Sequence, residues 1–236
     1  MDQALILAGG KGTRLFSITG GDQKIVTILG GKPFIQYQLE RLMEAKFEKI
    51  HLAVGHRADQ VASVIQSMPF KNRINLIYEQ SPLGTGGAIL NAIPHIKSKS
   101  FLLLNGDTFI DVNFRSFIEK HQNSRADITI LTTSVQDVSR FGEVVVDKNN
   151  RVTAFLEKSG RPHSGIINAG IYAIQTKIFD ACKTTAFSFE DFVSENLLLH
   201  KVFSQRVDGA FWDIGTPEDH QKFQQFIESG SDVDNE

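Results

Sequence analysis

The sequence predicts an α/β fold: a mixed, mainly parallel sheet flanked by helices, with a smaller antiparallel part. Three observations carry this expectation. Short, wholly apolar runs alternate with helix-spaced segments through the first half of the chain. Glycine-bearing loops follow three of those runs, at Gly9, Gly84 and Gly106. The second half carries strand-like segments joined by turn-forming residues.

Ala4–Ala8 has no polar face and reads as a fully buried strand. Phe34–Ala45 places Phe34, Ile35, Leu39, Leu42 and Met43 at helical spacing. A strand (Ile50–Val54), a helix (Ala58–Gln66) and a strand (Ile74–Tyr78) follow. The cluster Gly84-Thr85-Gly86-Gly87 opens an apolar helix that ends near Pro94. Phe101–Leu104 is a further buried strand, stopped by Asn105-Gly106-Asp107. This order predicts a parallel sheet with helices on both faces.

Beyond it, Asp127–Thr133, Glu143–Asp147, Arg151–Leu156 and Ile166–Ile174 read as strands, with Asp147–Asn150 as a turn. Phe189–Leu199 is expected to be helical, with Ser188 as N-cap and Asp191 three residues on. Thr216-Pro217-Glu218-Asp219 has the chemistry of a helix start: a capping hydroxyl, proline at the first position and acids in the first turn.

The chain has 236 residues, 41% apolar and 22% charged, which excludes disordered and fibrous classes. The length suits one domain, expected over residues 1–228, with an acidic tail at 229–236 that frays. The 25 Lys+Arg against 27 Asp+Glu give a net charge of −2, which argues against nucleic acid or an anionic membrane as partner. The one cysteine, Cys182, allows no internal disulfide and fits a reducing compartment. The first apolar run is too short for a signal peptide, and no stretch nears the roughly 20 residues that span a bilayer. A soluble cytoplasmic protein is expected. The sequence leaves the oligomeric state open, a homodimer included.

The strongest chemical signal is Leu7-Ala8-Gly9-Gly10-Lys11-Gly12-Thr13-Arg14, directly after the first strand. Its glycines let the backbone come close to a ligand and present N–H groups to phosphate oxygens. Lys11 and Arg14 add positive charge. Glycines alone would also suit a plain strand-to-helix loop. Neither the P-loop spacing nor the dinucleotide fingerprint fits, since Leu15 stands where the latter needs its third glycine. Asp107 is expected at the carboxyl end of a central strand, where open α/β sheets bind ligands. A carboxylate there suits Mg²⁺, although Asn-Gly-Asp is also good turn chemistry. Asp213, beside the only Trp, offers a second metal carboxylate or a local cap.

Taken in order, Gly9–Arg14, Lys24, Pro82-Leu83-Gly84-Thr85-Gly86, Gly106-Asp107, Glu157-Lys158 and Trp212-Asp213-Ile214-Gly215-Thr216 resemble the sugar-phosphate nucleotidyltransferases, up to about Phe226. Within that family the chain looks most like the heptose 1-phosphate guanylyltransferases. The cues are the Glu79–Ala88 stretch, Leu104–Phe109, Phe187–Glu190 and Asp213–Asp219. Mannose-1-phosphate guanylyltransferases and uridylyltransferases acting on amino-sugar 1-phosphates share much of this.

The resemblance implies a Rossmann-like sheet of the nucleotide-diphospho-sugar transferase type, with the antiparallel part binding sugar. It implies a nucleoside triphosphate and a sugar 1-phosphate as substrates and Mg²⁺ as cofactor. Leu7, Ala8 and the loop Gly9–Arg14 would hold the triphosphate, and Lys24 would meet the α-phosphate. Pro82, Gly84 and Thr85 would line the base pocket, with Gly106 beside the nucleotide. Asp107 and Asp213 would hold the metal. Lys158 would hold the sugar phosphate, Glu157 the sugar, and Gly142, Asn168 and Gly170 would line the sugar site. Arg14, Lys24 and Lys158 would be the catalytic cations. The family has Pro-Lys where this chain has Gln23-Lys24, which predicts a freer loop before Lys24.

For the base, Glu79 could accept guanine's two donors, whereas the neighbouring Gln80 would suit uracil. A scaffold that binds a nucleotide sugar without turnover is the competing class. Retention of Arg14, Asp107, Lys158 and Asp213 favours an enzyme.

Overall fold

The computed structural model describes residues 1–10, 20–156 and 160–229. β1 (Gln3–Ala8) is followed, after a one-turn 3-10 helix at Lys24–Val26, by the short pair β2 (Ile28–Leu29) and β3 (Lys32–Pro33). Strict alternation comes next: α1 (Phe34–Glu44), β4 (Lys49–Val54), α2 (Ala58–Gln66), β5 (Ile74–Tyr78), α3 (Gly84–Ala92) and β6 (Ser100–Asn105). β7 (Thr108–Ile110), α4 (Phe114–Ser124), β8 (Ile128–Val135), β9 (Glu143–Val146), β10 (Val152–Leu156) and β11 (Gly165–Gln175) follow. The chain then makes α5 (Phe189–Glu195), β12 (Val202–Val207), β13 (Phe211–Asp213) and α6 (Pro217–Glu228).

β1 pairs in parallel with β4 on one side and β6 on the other, and β5 pairs in parallel with β4. The chain therefore builds outward from β1 through β4 and β5, then crosses over to place β6 on the opposite side. That reversal is a topological switch point. Beyond β6 the sheet turns antiparallel through β11, which also pairs with β8 and meets β9. β10 pairs with β9, and β12 runs parallel to β8. The expected mixed sheet with an antiparallel part is present.

Both faces are covered, which explains why the central strands lack a polar face. Ala4 and Ile6 of β1 pack with Ile35 and Leu39 of α1, Val61 of α2 and Phe117 of α4. Leu5 faces the other way, with Ile89 of α3 and Phe189 and Val193 of α5. Ala4, Leu5 and Ile6 are fully buried. A third cluster, Leu29, Phe34, Ile214 and Phe223 with Phe109 and Trp212, clamps α6 against α1 and the β7–β13 pair.

The helix expected over Phe189–Leu199 stops at Glu195. Asn196 caps it, and Leu198 stands 94% exposed, so the apolar periodicity continues past the end of the packed face. Ser188 does cap its start, accepting from the Asp191 N–H at 3.1 Å, and Thr216 does the same for α6 from Asp219. Among the described residues, no helix is long and apolar enough to cross a membrane.

Candidate active site

A cleft of about 850 Å³ opens outside the carboxyl ends of β1, β4, β5 and β6. Its floor is made by Leu7–Gly10, Gly55–His56 and Asn105–Asp107, and its far wall by Glu79 to Thr85. The approach of these segments depends on what Gly9 lacks: a Cβ there would lie 2.6 Å from Glu79 Oε1. The Glu79 side chain is therefore turned in against the β1 loop. Burial pushes its carboxyl above the ordinary value, and the Leu83 N–H bond works against that shift. Gln80 also borders the cleft but is more exposed.

Asp107 stands just past β6, as expected, and its Oδ2 accepts from Lys24 Nζ at 2.5 Å. The ammonium is largely buried, while the carboxylate is 38% exposed toward the cleft. Asp213 reaches the same place from the other end of the chain. β13 pairs with β7 so that Asp213 lies opposite Thr108, and Ile214 N–H donates to the Asp107 carbonyl at 2.9 Å. The aromatic cluster around Trp212 and Phe223 fixes that ladder. Asp107 and Asp213 thus stand on adjacent backbones, and carboxylates are the ligand type that Mg²⁺ takes. Among the described residues there is no group of three or more His, Cys, Asp or Glu that could hold a metal by itself.

A second cavity of about 350 Å³ lies beside the first, and Asn105 borders both. Gly142, Asn168 and Asp213 line it, joined by Arg140 and Glu190. Asn168 is aimed by a bulge in β11, where the register with β8 shifts between Asn168 and Tyr172. Gly170 sits in the bulge at φ +75, and Asn168 Oδ1 accepts its N–H at 2.9 Å. A Cβ on Gly170 would meet Thr108 Oγ1 at 2.6 Å. Gly170→Ala is thus expected to lower stability by about 1–3 kcal/mol. A urea midpoint equal to that of the parent would contradict this reading of the bulge.

Glu190 and Arg140 carry no role in the sequence reading. Glu190 Oε2 accepts from Thr85 Oγ1 at 2.9 Å, and its Oε1 accepts from the Tyr172 hydroxyl at 3.2 Å. Phe189 N–H donates to Thr85 Oγ1 at 2.8 Å, so Thr85 of the cleft and Glu190 of the second cavity form one network. Tyr172 is fully buried, and burial together with Glu190 raises its pKa well above the ordinary value. Arg140 grips Asp219 at the start of α6 with two bonds, 3.2 and 2.6 Å. The visible signal for Glu190 was its place in Phe187-Ser188-Phe189-Glu190; Arg140 sits in no motif.

Of the expected site residues, Leu7, Ala8, Gly9, Gly10, Lys24, Glu79, Pro82, Gly84, Thr85, Gly106 and Asp107 border the larger cleft. Gly142, Asn168 and Asp213 border the smaller, and Gly170 anchors Asn168. Lys11, Gly12, Thr13, Arg14, Glu157 and Lys158 lie outside the described residues. One expectation is corrected. Gln23 does not leave its segment freer: it is 2% exposed, and its side chain makes hydrogen bonds to carbonyls of two loops.

The larger cavity lies outside the carboxyl ends of the parallel strands, beside the point where strand order reverses, and the smaller adjoins it at Asn105. That is the arrangement of open α/β proteins that bind a ligand at the switch point. The chain belongs to the nucleotidyl transferase family, whose profile matches residues 3–230. It is 33% identical over 229 residues to the D-glycero-alpha-D-manno-heptose 1-phosphate guanylyltransferase of Aneurinibacillus thermoaerophilus, covering 96% of this chain and 98% of that one. It is also 33% identical over 222 residues to the mannose-1-phosphate guanylyltransferase of Mycobacterium tuberculosis, covering 92% of this chain and 62% of that one. Its structure resembles that of HddC from Yersinia pseudotuberculosis complexed with GMP-PN, with a TM-score of 0.86 and 36% identity over 96% of this chain and 100% of that one.

Proposed function

We propose that this chain transfers the guanylyl group of GTP to a sugar 1-phosphate, a heptose 1-phosphate before others, releasing pyrophosphate. The observation that carries the reading is the meeting at Asn105 of two cavities, the larger of nucleotide size and bordered by Asp107, the smaller bordered by Asp213. The near full-length likeness to a heptose 1-phosphate guanylyltransferase supports the choice of substrates. Likeness to a mannose-1-phosphate guanylyltransferase keeps mannose 1-phosphate as the second acceptor. Cys182 and the use of GTP fit a cytoplasmic site of action.

In this reading the attacking group is an oxygen of the sugar phosphate. Its second pKa is about 6, so it is already ionised at neutral pH and needs no general base. The oxygen forms a bond to the α-phosphorus in line with the bond that breaks, and pyrophosphate leaves with that electron pair. Catalysis then rests on positioning and charge neutralisation.

The β1 loop, from Gly9 through Arg14, holds the triphosphate. Lys24 neutralises the transferred phosphate, and Lys158 holds the attacking one. Asp107 and Asp213 would hold Mg²⁺, which would supply positive charge to the phosphates. Asn168, Glu190 and Gly142, which border the smaller cavity, bind the sugar hydroxyls, and Glu157 joins them in this reading.

Glu79 accepts the two donors of the guanine edge, N1–H and the exocyclic amine. Losing a bond to a charged group is worth about 1.5–3 kcal/mol, so Glu79→Gln is expected to raise the GTP KM about 10- to 100-fold and to narrow the preference over UTP. Acid should act in the same direction. Because the Glu79 pKa is raised, its acceptor is lost as pH falls through a value above the usual carboxylate range. Pyrophosphate release with each nucleoside triphosphate, for parent and variant, checks this. An unchanged GTP preference in Glu79→Gln removes Glu79 from the base site.

A further inference from the structure

We propose that Gln23 is a positioning residue for the nucleotide, its buried amide locking the turn after β1, the loop after β4 and Lys24 into one piece. The inference rests on the nucleotidyl-transfer reading above.

The geometry is specific. Gln23 Nε2 donates to the carbonyls of Ala8 at 2.8 Å, Gly10 at 3.0 Å and His56 at 3.4 Å. The first two belong to the turn that leaves β1, and the third to the loop that leaves β4. That second loop is pressed against the first, with His56 N–H 3.4 Å from the Gly9 carbonyl. A trans peptide points its N–H opposite to its C=O. Anchoring the Ala8 carbonyl therefore also fixes the direction of the Gly9 N–H, in the segment that borders the cleft.

The backbone of Gln23 is held as well. Its N–H donates to Gln60 Oε1 on α2 at 2.8 Å, and Gln60 Nε2 donates to Asp22 Oδ1 at 2.7 Å. The next residue is Lys24, whose ammonium meets Asp107. One side chain thus couples the backbone that would cradle phosphate to the cation that would neutralise it.

Gln23 has φ −65, an angle proline would also adopt, yet proline could supply neither the N–H to Gln60 nor the side-chain amide. The backbone angle and the hydrogen bonds are therefore separable by substitution. Gln23→Met keeps the volume and removes the amide. Gln23→Pro keeps the angle and removes both sets of bonds.

The test reads GTP binding by isothermal titration calorimetry, together with separate KM values for GTP and the sugar 1-phosphate. Both variants are expected to weaken GTP binding about tenfold while the sugar 1-phosphate KM stays within about twofold, because the misplacement is confined to the triphosphate half of the site. Gln60→Met, on the α2 surface, should weaken GTP binding in the same direction and serves if Gln23→Met does not fold. GTP affinity unchanged in Gln23→Met or Gln60→Met, parent-like affinity in Gln23→Pro, or a parallel loss for both substrates would overturn the proposal. A parent chain that binds GTP but turns over no sugar 1-phosphate would refute the transfer reading, and the titration would still decide on Gln23.

Discussion

Asp107→Asn is expected to lower kcat about 10²- to 10³-fold, the usual effect of removing one preorganised charge from a transfer site. The argument begins with β6. Its apolar run is buried between β1 and β11, so its last residues are rigidly placed, and Asp107 follows directly at the sheet edge. The carboxylate is 38% exposed, bonded to Lys24 and open to the cleft. Asparagine keeps the shape and one acceptor oxygen but removes the charge. The ion pair is partly solvated, so its loss should cost about 1 kcal/mol of stability or less. A large fall in kcat with a nearly unchanged urea midpoint is the expected pattern. Near-normal turnover would remove Asp107 from the metal site.

Lys24→Met is expected to lower kcat by about 10²-fold or more, with little change in the sugar 1-phosphate KM. The ammonium is 12% exposed, held by the Lys24–Val26 turn at the edge of the cleft. In the structure it neutralises Asp107; with substrate it would face the phosphate undergoing transfer. Because the two residues act on the same charge, Lys24→Met and Asp107→Asn together should lower kcat by less than the product of the single effects. A double variant whose loss equals that product would show that they act independently.

The parallel half of the fold was legible because its strands are buried on both faces. Ala4–Ala8 and Phe101–Leu104 could be little else, and the helices between them carry clear apolar stripes. α4 is hard to read in the sequence although Phe114, Phe117, Ile118 and His121 are its buried residues at helical spacing. Its polar remainder, Glu119-Lys120 and Gln122–Ser124, hid the pattern. β12 is masked in the sequence because its buried Ser204 bonds Thr132 at 2.7 Å: a polar pair satisfied inside the sheet leaves no apolar signature.

The site shows the same division. Residues in contiguous motifs, such as Gly9-Gly10 and Gly106-Asp107, were readable in one dimension. Glu190, Arg140 and the bonds of Gln23 were not, since each depends on partners far away in sequence: Thr85, Asp219 and the Ala8–Gly10 turn. Gln23 shows the reverse error. Losing proline's fixed angle argued for a looser loop, but the structure replaces that constraint with hydrogen bonds that sequence alone does not reveal.

The central claim is guanylyl transfer to a sugar 1-phosphate, and the direct test is pyrophosphate release with Mg²⁺ across GTP, UTP, CTP and dTTP. Each is paired with heptose 1-phosphate, mannose 1-phosphate and an amino-sugar 1-phosphate, and the product is weighed by mass spectrometry. The account predicts the highest kcat/KM for GTP with heptose 1-phosphate and a product of GDP-heptose mass. Faster release with UTP and the amino-sugar phosphate, or silence in every combination, would contradict it.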